Sequence, residues 1–181
     1  AYTAAEKKEL ILLAYEKSLL LNTYVGELLD MTRIEAGSLR LKRAPCTVGE
    51  LAAIAAGRVK EKLGSRPVER RIAPEVGEIE VDVVLMAKVL TNLLDNAIKF
   101  SPAFSPVTIT AERSGEVVQI AVADQGEGID AVHIPRLTER FYRVDSHRSR
   151  EMGGTGLGLA IVKHIIGRHR GALRIASVKG E

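Results

Sequence analysis

Apolar residues recur at helical spacing near the start of the chain, at Leu10, Leu13, Leu21, Tyr24, Val25, Leu28, Met31 and Ile34, with only Gly26 to interrupt the run. A pattern of that length exceeds an ordinary globular helix and predicts a coiled-coil or bundle member, closed by the stop signal Gly37. Leu28 and Leu29 both read as inward-facing, which widens the apolar face near the helix end. Residues 38–49, with Pro45 and Gly49, form a connector with an edge strand expected at 39–41. Residues 50–63 read as a helix ended by Gly64. Short strands at 68–72 and 79–81 flank a turn at 74–77. Asp82 suits the N-cap of a helix running from Val83 to about Phe100, which Ser101-Pro102 terminates. Alternating runs at 107–112 and 117–123, joined by Arg113-Ser114-Gly115-Glu116, carry a hairpin signature. Residues 129–152 are irregular and charge-rich. A helix over 157–169, stopped by Gly171, leads into a final strand at 172–178.

At 181 residues this is one medium domain plus an appendage, or two small domains, and with 46% hydrophobic residues it can bury a proper core. Tryptophan is absent, so that core is aliphatic. A net charge of +3 fits a cleft for a polyanion as well as an ordinary surface. Nucleic-acid binding is not expected, because the basic residues are dispersed with no aromatic-basic stripe. The single Cys46 precludes an internal disulfide and suggests a reducing compartment. No apolar run reaches the roughly 18 residues a bilayer requires, and no signal peptide is visible, so a cytoplasmic location is expected.

Three segments carry candidate chemistry. Asn92, Asn96 and Lys99 are four and then three residues apart and share one helix face, opposite the apolar stripe Val89, Leu93, Leu94 and Ala97. Spacing alone also fits a solvated polar face. The sharper reading gives Mg²⁺ a neutral oxygen from Asn96, with Asn92 on phosphate or metal-bound water and Lys99 balancing charge. Asp124 precedes Gln125-Gly126-Glu127-Gly128. A carboxylate accepts a hydrogen bond from the exocyclic amine that adenine has, whereas guanine would present a carbonyl, acceptor against acceptor. Gly126 and Gly128 let the backbone pass close to a ligand. Finally, Gly153-Gly154-Thr155-Gly156-Leu157-Gly158 opens a helix, where unpaired N–H groups and the dipole favour phosphate. It is not a P-loop, because no Gly-Lys-Ser/Thr follows. The polar stretch before it, at 148–152, and the glycine spacing exclude a Rossmann turn.

In this order, residues 92–99, 124–128 and 154–159 resemble the N, G1 and G2 boxes of bacterial sensor histidine kinases. Those kinases share a superfamily with gyrase, Hsp90 and the mismatch-repair ATPases, and the resemblance covers about residues 20–181. It implies a two-layer α/β sandwich of a mixed sheet and helices, the Bergerat-type ATP-binding fold, preceded by one long helix. Residues 28–37 resemble the end of the second helix of the family's dimerisation hairpin. The implied division is residues 1–37 for that helix, 38–49 for a linker and 50–181 for the catalytic ATP-binding domain. The implied cofactors are ATP and Mg²⁺, the metal at Asn96. ATP contacts fall on Asn92, Asn96, Lys99, Phe100, Asp124, Gly126, Gly128, Gly154, Thr155, Gly156, Leu157 and Gly158. Residues 136–150 resemble the F box and ATP lid, with Phe141 and Tyr142 pinning the lid. Arg140, Arg143, Arg148 and Arg150 are phosphate candidates, of which one or two are expected to act.

In the ATPase branches of the superfamily a Glu four residues before the metal-binding Asn activates water. Here that position is Asn92, whose carboxamide takes no proton at neutral pH, so the resemblance implies phosphoryl transfer rather than hydrolysis. The family's phosphoacceptor histidine sits in a His-Glu-x-x-Thr-Pro-like motif. None of His133, His147, His164 and His169 has such neighbours, and the first 36 residues hold no histidine. The four histidines are therefore expected in structural or solvated roles, and the chain is expected to bind ATP without autophosphorylating. The family follows its strand near 172–178 with a glycine turn and another strand; here Lys179-Gly180-Glu181 ends the sequence, so an exposed sheet edge is expected. The implied partners are a kinase dimer through the N-terminal helix and a response-regulator receiver domain, with any membrane contact through other parts of the parent. An anti-sigma-type serine/threonine kinase and a non-catalytic scaffold are the alternative readings.

Overall fold

The computed structural model describes residues 2–35, 40–144 and 154–180. Thr47 ends β1 (Arg43–Thr47) and starts α2 (Val48–Arg58) in one step. Its hydroxyl accepts the Glu50 N–H at 3.2 Å while the Glu50 carboxylate accepts the Thr47 N–H at 2.8 Å. This reciprocal cap satisfies two donors that a helix start would otherwise leave orphaned. The backbone and hydroxyl bonds from Thr47 hold the Glu50 carboxyl below its ordinary range. β1 begins beyond the strand expected at 39–41 and includes Pro45. Proline is tolerated there because β1 is an edge, antiparallel to β3 (Glu78–Asp82) in a two-stranded sheet. The helix expected over 50–63 starts at Val48, so Gly49 lies inside it rather than in the connector, and Val59 separates it from the single turn α3 (Lys60–Leu63).

β2 (Val68–Ile72) pairs parallel with β4 (Val107–Ser114), which pairs antiparallel with β5 (Val117–Ala123). The result is a mixed sheet in the order β2-β4-β5, its hairpin turned by Gly115 at φ 59°. Helix α4 (Val83–Phe100) begins as expected at Asp82, whose Oδ1 accepts the Leu85 N–H at 3.1 Å. Helix α5 (Gly158–Arg168) completes the layer. Leu51 and Ala55 of α2, Leu90 and Leu94 of α4, and Ile161 and Ile165 of α5 share one buried cluster with Val107 and Ile109 of β4. That cluster is the helix-on-sheet core of the expected two-layer fold, and it is aliphatic throughout.

Asp82, the one buried charged residue among those described, is fully partnered. Its Oδ2 accepts the Lys42 N–H at 2.9 Å, and its own N–H donates to His169 Nε2 at 3.0 Å. His169 Nδ1 lies 2.8 Å from the Ile165 carbonyl, so Nδ1 carries the proton and Nε2 accepts. One histidine thus ties the end of α5 to the β3–α4 junction, a structural role as expected.

Three local expectations change. Arg170, not Gly171, adopts the left-handed conformation that stops α5, at φ 62°. Gly171 follows it in a tight space, where a Cβ would lie 3.1 Å from Ile166 Cγ2, and its N–H closes the turn on the Ile166 carbonyl at 3.0 Å. Residues 171–178 form no strand, although Leu173, Ile175 and Ser177 alternate inward as a strand would. Without a ladder partner the segment is held at its far end, by the Gly180 N–H on the Glu127 carbonyl and the Ile129 N–H on Ser177 Oγ, both at 2.9 Å. Finally, α1 (Ala4–Glu35), about 48 Å long at 1.5 Å per residue, packs on α5 and buries Met31, but Leu28 and Leu29 are each 51% exposed. Leu10, Ile11, Leu12 and Leu13 are also exposed, so apolar surface wraps several sides of the helix. No described helix is long and apolar enough to cross a membrane.

Candidate functional site

Helix α4 brings the three motifs together. Its midpoint meets the second glycine turn: Asn92 Nδ2 donates to the Gly158 carbonyl at 3.3 Å. Its C-terminal end meets the first glycine loop. Ser101, the C-cap, donates its hydroxyl to Asp124 Oδ1 at 3.1 Å, and that oxygen also accepts the Gly126 N–H at 2.8 Å. A Cβ on Gly126 would lie 2.8 Å from the Phe100 carbonyl, so the loop is pressed against the helix end where only glycine fits. Asn92 and Ser101 are nine residues apart, about 13 Å along the axis. Asn96 and Lys99 lie half-buried between them, and Phe100 is 44% exposed at the helix end.

The glycine turn before α5 is organised by its own residues. Thr155 Oγ1 accepts the Leu157 N–H at 3.0 Å, and Gly156 takes φ 73°. Phe141 donates its N–H to the Gly156 carbonyl at 2.9 Å, and a Cβ on Gly156 would lie 2.8 Å from Phe141 Cα. Phe141 itself is held at φ 62° and is 63% exposed. The segment preceding it is braced as well: Tyr142 bonds His133 Nδ1 at 2.6 Å, and the Arg136 guanidinium stacks 4.1 Å over the Tyr142 ring. Nη2 of Arg143 is buried with no hydrogen-bond partner among the described residues.

Several predicted residues already have partners within the chain or line another part of it. Asn92 spends its amide on the backbone of the glycine turn. Lys99 pairs with Asp95 Oδ2 at 2.5 Å, and Lys62 of α3 holds Asp95 Oδ1 at the same distance. Arg140 lines a separate cavity of about 760 Å³ on the other side of α5, together with Met31, Ile134, Lys163, His164 and Leu173. The three motifs are thus marked by converging polar groups, and none of residues 92–99, 124–128 and 154–158 lines this cleft. Arg148, Arg150, His147 and Gly153 lie outside the described residues. Asp95, Ser101 and Arg66, whose guanidinium reaches the Ile98 and Ser101 carbonyls at the end of α4, both at 3.4 Å, stand beside the motifs and were missed by sequence reasoning. Asp95 was legible, since Lys99 sits at the favourable i,i+4 spacing, whereas the other two act across 23 and 32 or more residues.

Burial pushes the Asp95 carboxyl up, but its bonds to Lys62 and Lys99 outweigh that and hold it below the usual aspartate range. A depressed carboxyl contributes stability that is complete above its unfolded pKa of roughly 3.9 and is lost as pH falls through the lower folded value. The stability difference between the wild type and Asp95→Asn should therefore stay constant from about pH 5 to 8 and shrink as pH falls below the unfolded pKa of roughly 3.9. Denaturant melts across that range would show it; a difference that persists undiminished at the lowest pH would mean the ion pairs are not its source.

Residues 81–181 match the family described as histidine kinase-, DNA gyrase B- and HSP90-like ATPases. The "Non-motile and phage-resistance protein" of Caulobacter vibrioides is 37% identical over 162 residues, 87% of this chain and 19% of that protein. The sensor-like histidine kinase SenX3 of Mycobacterium tuberculosis is 37% identical over 161 residues, 88% of this chain and 39% of that protein. Among solved structures, full-length ShkA in complex with AMPPNP superposes with a TM-score of 0.81 at 25% identity, over 100% of this chain and 38% of its own. The chain thus spans well under half the length of these relatives. The chain belongs to the histidine kinase-, DNA gyrase B- and HSP90-like ATPase family, as an ATP-binding domain of the sensor histidine kinase kind.

Proposed function

We propose that residues 50–181 bind Mg-ATP for phosphoryl transfer to a histidine outside this chain, with residues 1–37 the second helix of a dimerisation hairpin and 38–49 the linker between them. The observation that carries this reading is that α4 touches both glycine turns, with Asp124 at its C-terminal end and Gly158 at Asn92, its midpoint. The base is read at the Asp124 end, beside Phe100, Gly126 and Gly128. The phosphates lie toward residues 154–158, where the start of α5 offers N–H groups and a positive dipole end. A bound anion would also satisfy the orphaned Arg143 Nη2, which otherwise costs the desolvation of a buried donor. Mg²⁺ is served by the Asn96 carboxamide oxygen with phosphate and water, because the described residues hold no cluster of three or more acidic, histidine or cysteine ligands.

Transfer is favoured over hydrolysis by what surrounds Asn96. Four residues before it stands Asn92, which cannot act as a base. The neighbouring carboxylate, Asp95, has both oxygens engaged by ammonium groups. Water therefore lacks an activating base on this helix, while a neutral imidazole brings its own lone pair. The apolar surface wrapping α1 supports burial against other helices in a dimeric parent, which we place in the cytoplasm with a response-regulator receiver domain as downstream partner. The test is incubation with labelled Mg-ATP and a separately supplied hairpin helix carrying the histidine. The expected result is acid-labile label on that helix and none on this chain. Absence of nucleotide binding would overturn the site, binding without transfer would leave a scaffold, and acid-stable label on serine would favour the anti-sigma-type kinase.

A further inference from the structure

One side chain holds the loop that follows α4. Arg66 lies half-buried between α3 and β2, its N–H on the Leu63 carbonyl at 2.9 Å. The next carbonyl, of Pro67, accepts the Val107 N–H at 3.1 Å, which anchors this stretch at the start of the β2–β4 ladder. From there Arg66 Nη1 donates to the carbonyl and the hydroxyl of Ser105, both at 3.0 Å. Nη2 reaches the carbonyls of Ile98 and Ser101, both at 3.4 Å. The last carbonyls of a helix have no intrahelical donors and carry the negative end of its dipole, so a guanidinium there meets two needs at once. The loop needs an outside restraint, because Phe104 within it is held at φ 68°, a strained conformation for a bulky residue. On the opposite side of the same turn, Ser101 Oγ meets Asp124 Oδ1.

We propose that Arg66 is a positioning residue for base recognition: by clamping residues 98–105 it holds the Ser101 hydroxyl on Asp124 and so sets which carboxylate oxygen faces the purine. This rests on the reading of Asp124 as the residue that contacts the base. Both donors described for Asp124 meet Oδ1, so Oδ2 is the oxygen left for an exocyclic amine. The terminal torsion of an aspartate is broad and weakly held by itself. Releasing the clamp frees Ser101, lets the carboxylate turn, and weakens the amine contact, while phosphate contacts near Gly158 are untouched.

The experiment compares the affinity of the whole chain for ATP and for purine riboside triphosphate, which lacks the 6-amine. Arg66→Met is expected to weaken ATP by about fivefold, the worth of one ordinary hydrogen bond, and to leave the amine-free nucleotide within about twofold. Ser101→Ala should do the same and Ser101→Thr should not, because it keeps the hydroxyl. In an Asp124→Asn background Arg66→Met should cost nothing further, as expected of residues acting through one group. Equal losses for both nucleotides, or an unchanged ATP preference in both Arg66→Met and Ser101→Ala, would overturn the proposal while leaving the site intact. A wild-type chain that binds neither nucleotide would overturn the site and the proposal together. If Arg66→Met does not fold, Ser101→Ala decides the matter alone, since it removes one oxygen from a helix cap.

Discussion

Replacing Asp124 by asparagine weakens ATP binding about 10- to 100-fold, the worth of one charge-assisted hydrogen bond of roughly 1.5–3 kcal/mol. The direction follows from the two donors already on the carboxylate. Ser101 Oγ and the Gly126 N–H both point at Oδ1. In asparagine the carbonyl oxygen must stay where those donors are, because the amide nitrogen cannot accept from them. The amide nitrogen then occupies the Oδ2 position and faces the adenine amine, donor against donor. A 6-oxo purine offers an acceptor at the same place. The variant should therefore lose affinity for ATP and gain it for ITP, shifting their ratio by at least about tenfold. Equilibrium titration with both nucleotides checks this. Parallel losses for the two would show that Asp124 supports the loop without reading the base.

Alanine at Gly128 destabilises the folded chain by about 3 kcal/mol, a fall in melting temperature of roughly 6–12 °C for a protein of this size. Gly128 sits at φ 72°, where an L side chain costs about 1 kcal/mol or more. A Cβ there would also collide with the Val178 carbonyl oxygen, which belongs to the backbone and cannot rotate away. Residues 177–180 must lift off, releasing the Gly180–Glu127 and Ile129–Ser177 bonds at about 1 kcal/mol each. Gly115 provides the comparison. Its φ is 59° but a Cβ would meet nothing within 4 Å, so Gly115→Ala should cost only the conformational part, about 1 kcal/mol. Calorimetric melts of the two variants would separate the terms; equal losses would show that the packing of residues 177–180 contributes nothing.

Much of this protein was decided locally. The Asp82 cap, the α4 stripe of Val89, Leu94 and Ala97, and the hairpin around Gly115 depend on periodicity and on side chains three or four residues apart, and these are readable along one strand of text. So were the two glycine turns and the amide face of α4, because a close approach or a positive φ demands glycine and a helix face demands a fixed spacing, although what the glycines approach is the chain's own backbone at Phe100, Val178 and Phe141. What the tertiary structure decided is where those parts meet and which partners they take. Residues 172–178 have the alternation of a strand, yet a strand exists only where a neighbour supplies the ladder. Gly171 looks like a stop signal, but Arg170 takes the left-handed turn and Gly171 only closes it with its N–H on the Ile166 carbonyl. Lys99 reads as a cation on a polar helix face, and only the fold shows that it shares Asp95 with Lys62. Arg66 has no signature in the sequence, since its acceptors are backbone carbonyls that any residues would present. Spacing along the chain therefore determined which chemical groups share a helix face or a turn. Only folding determined their partners, because hydrogen bonds and ion pairs depend on distances between segments that are remote in sequence.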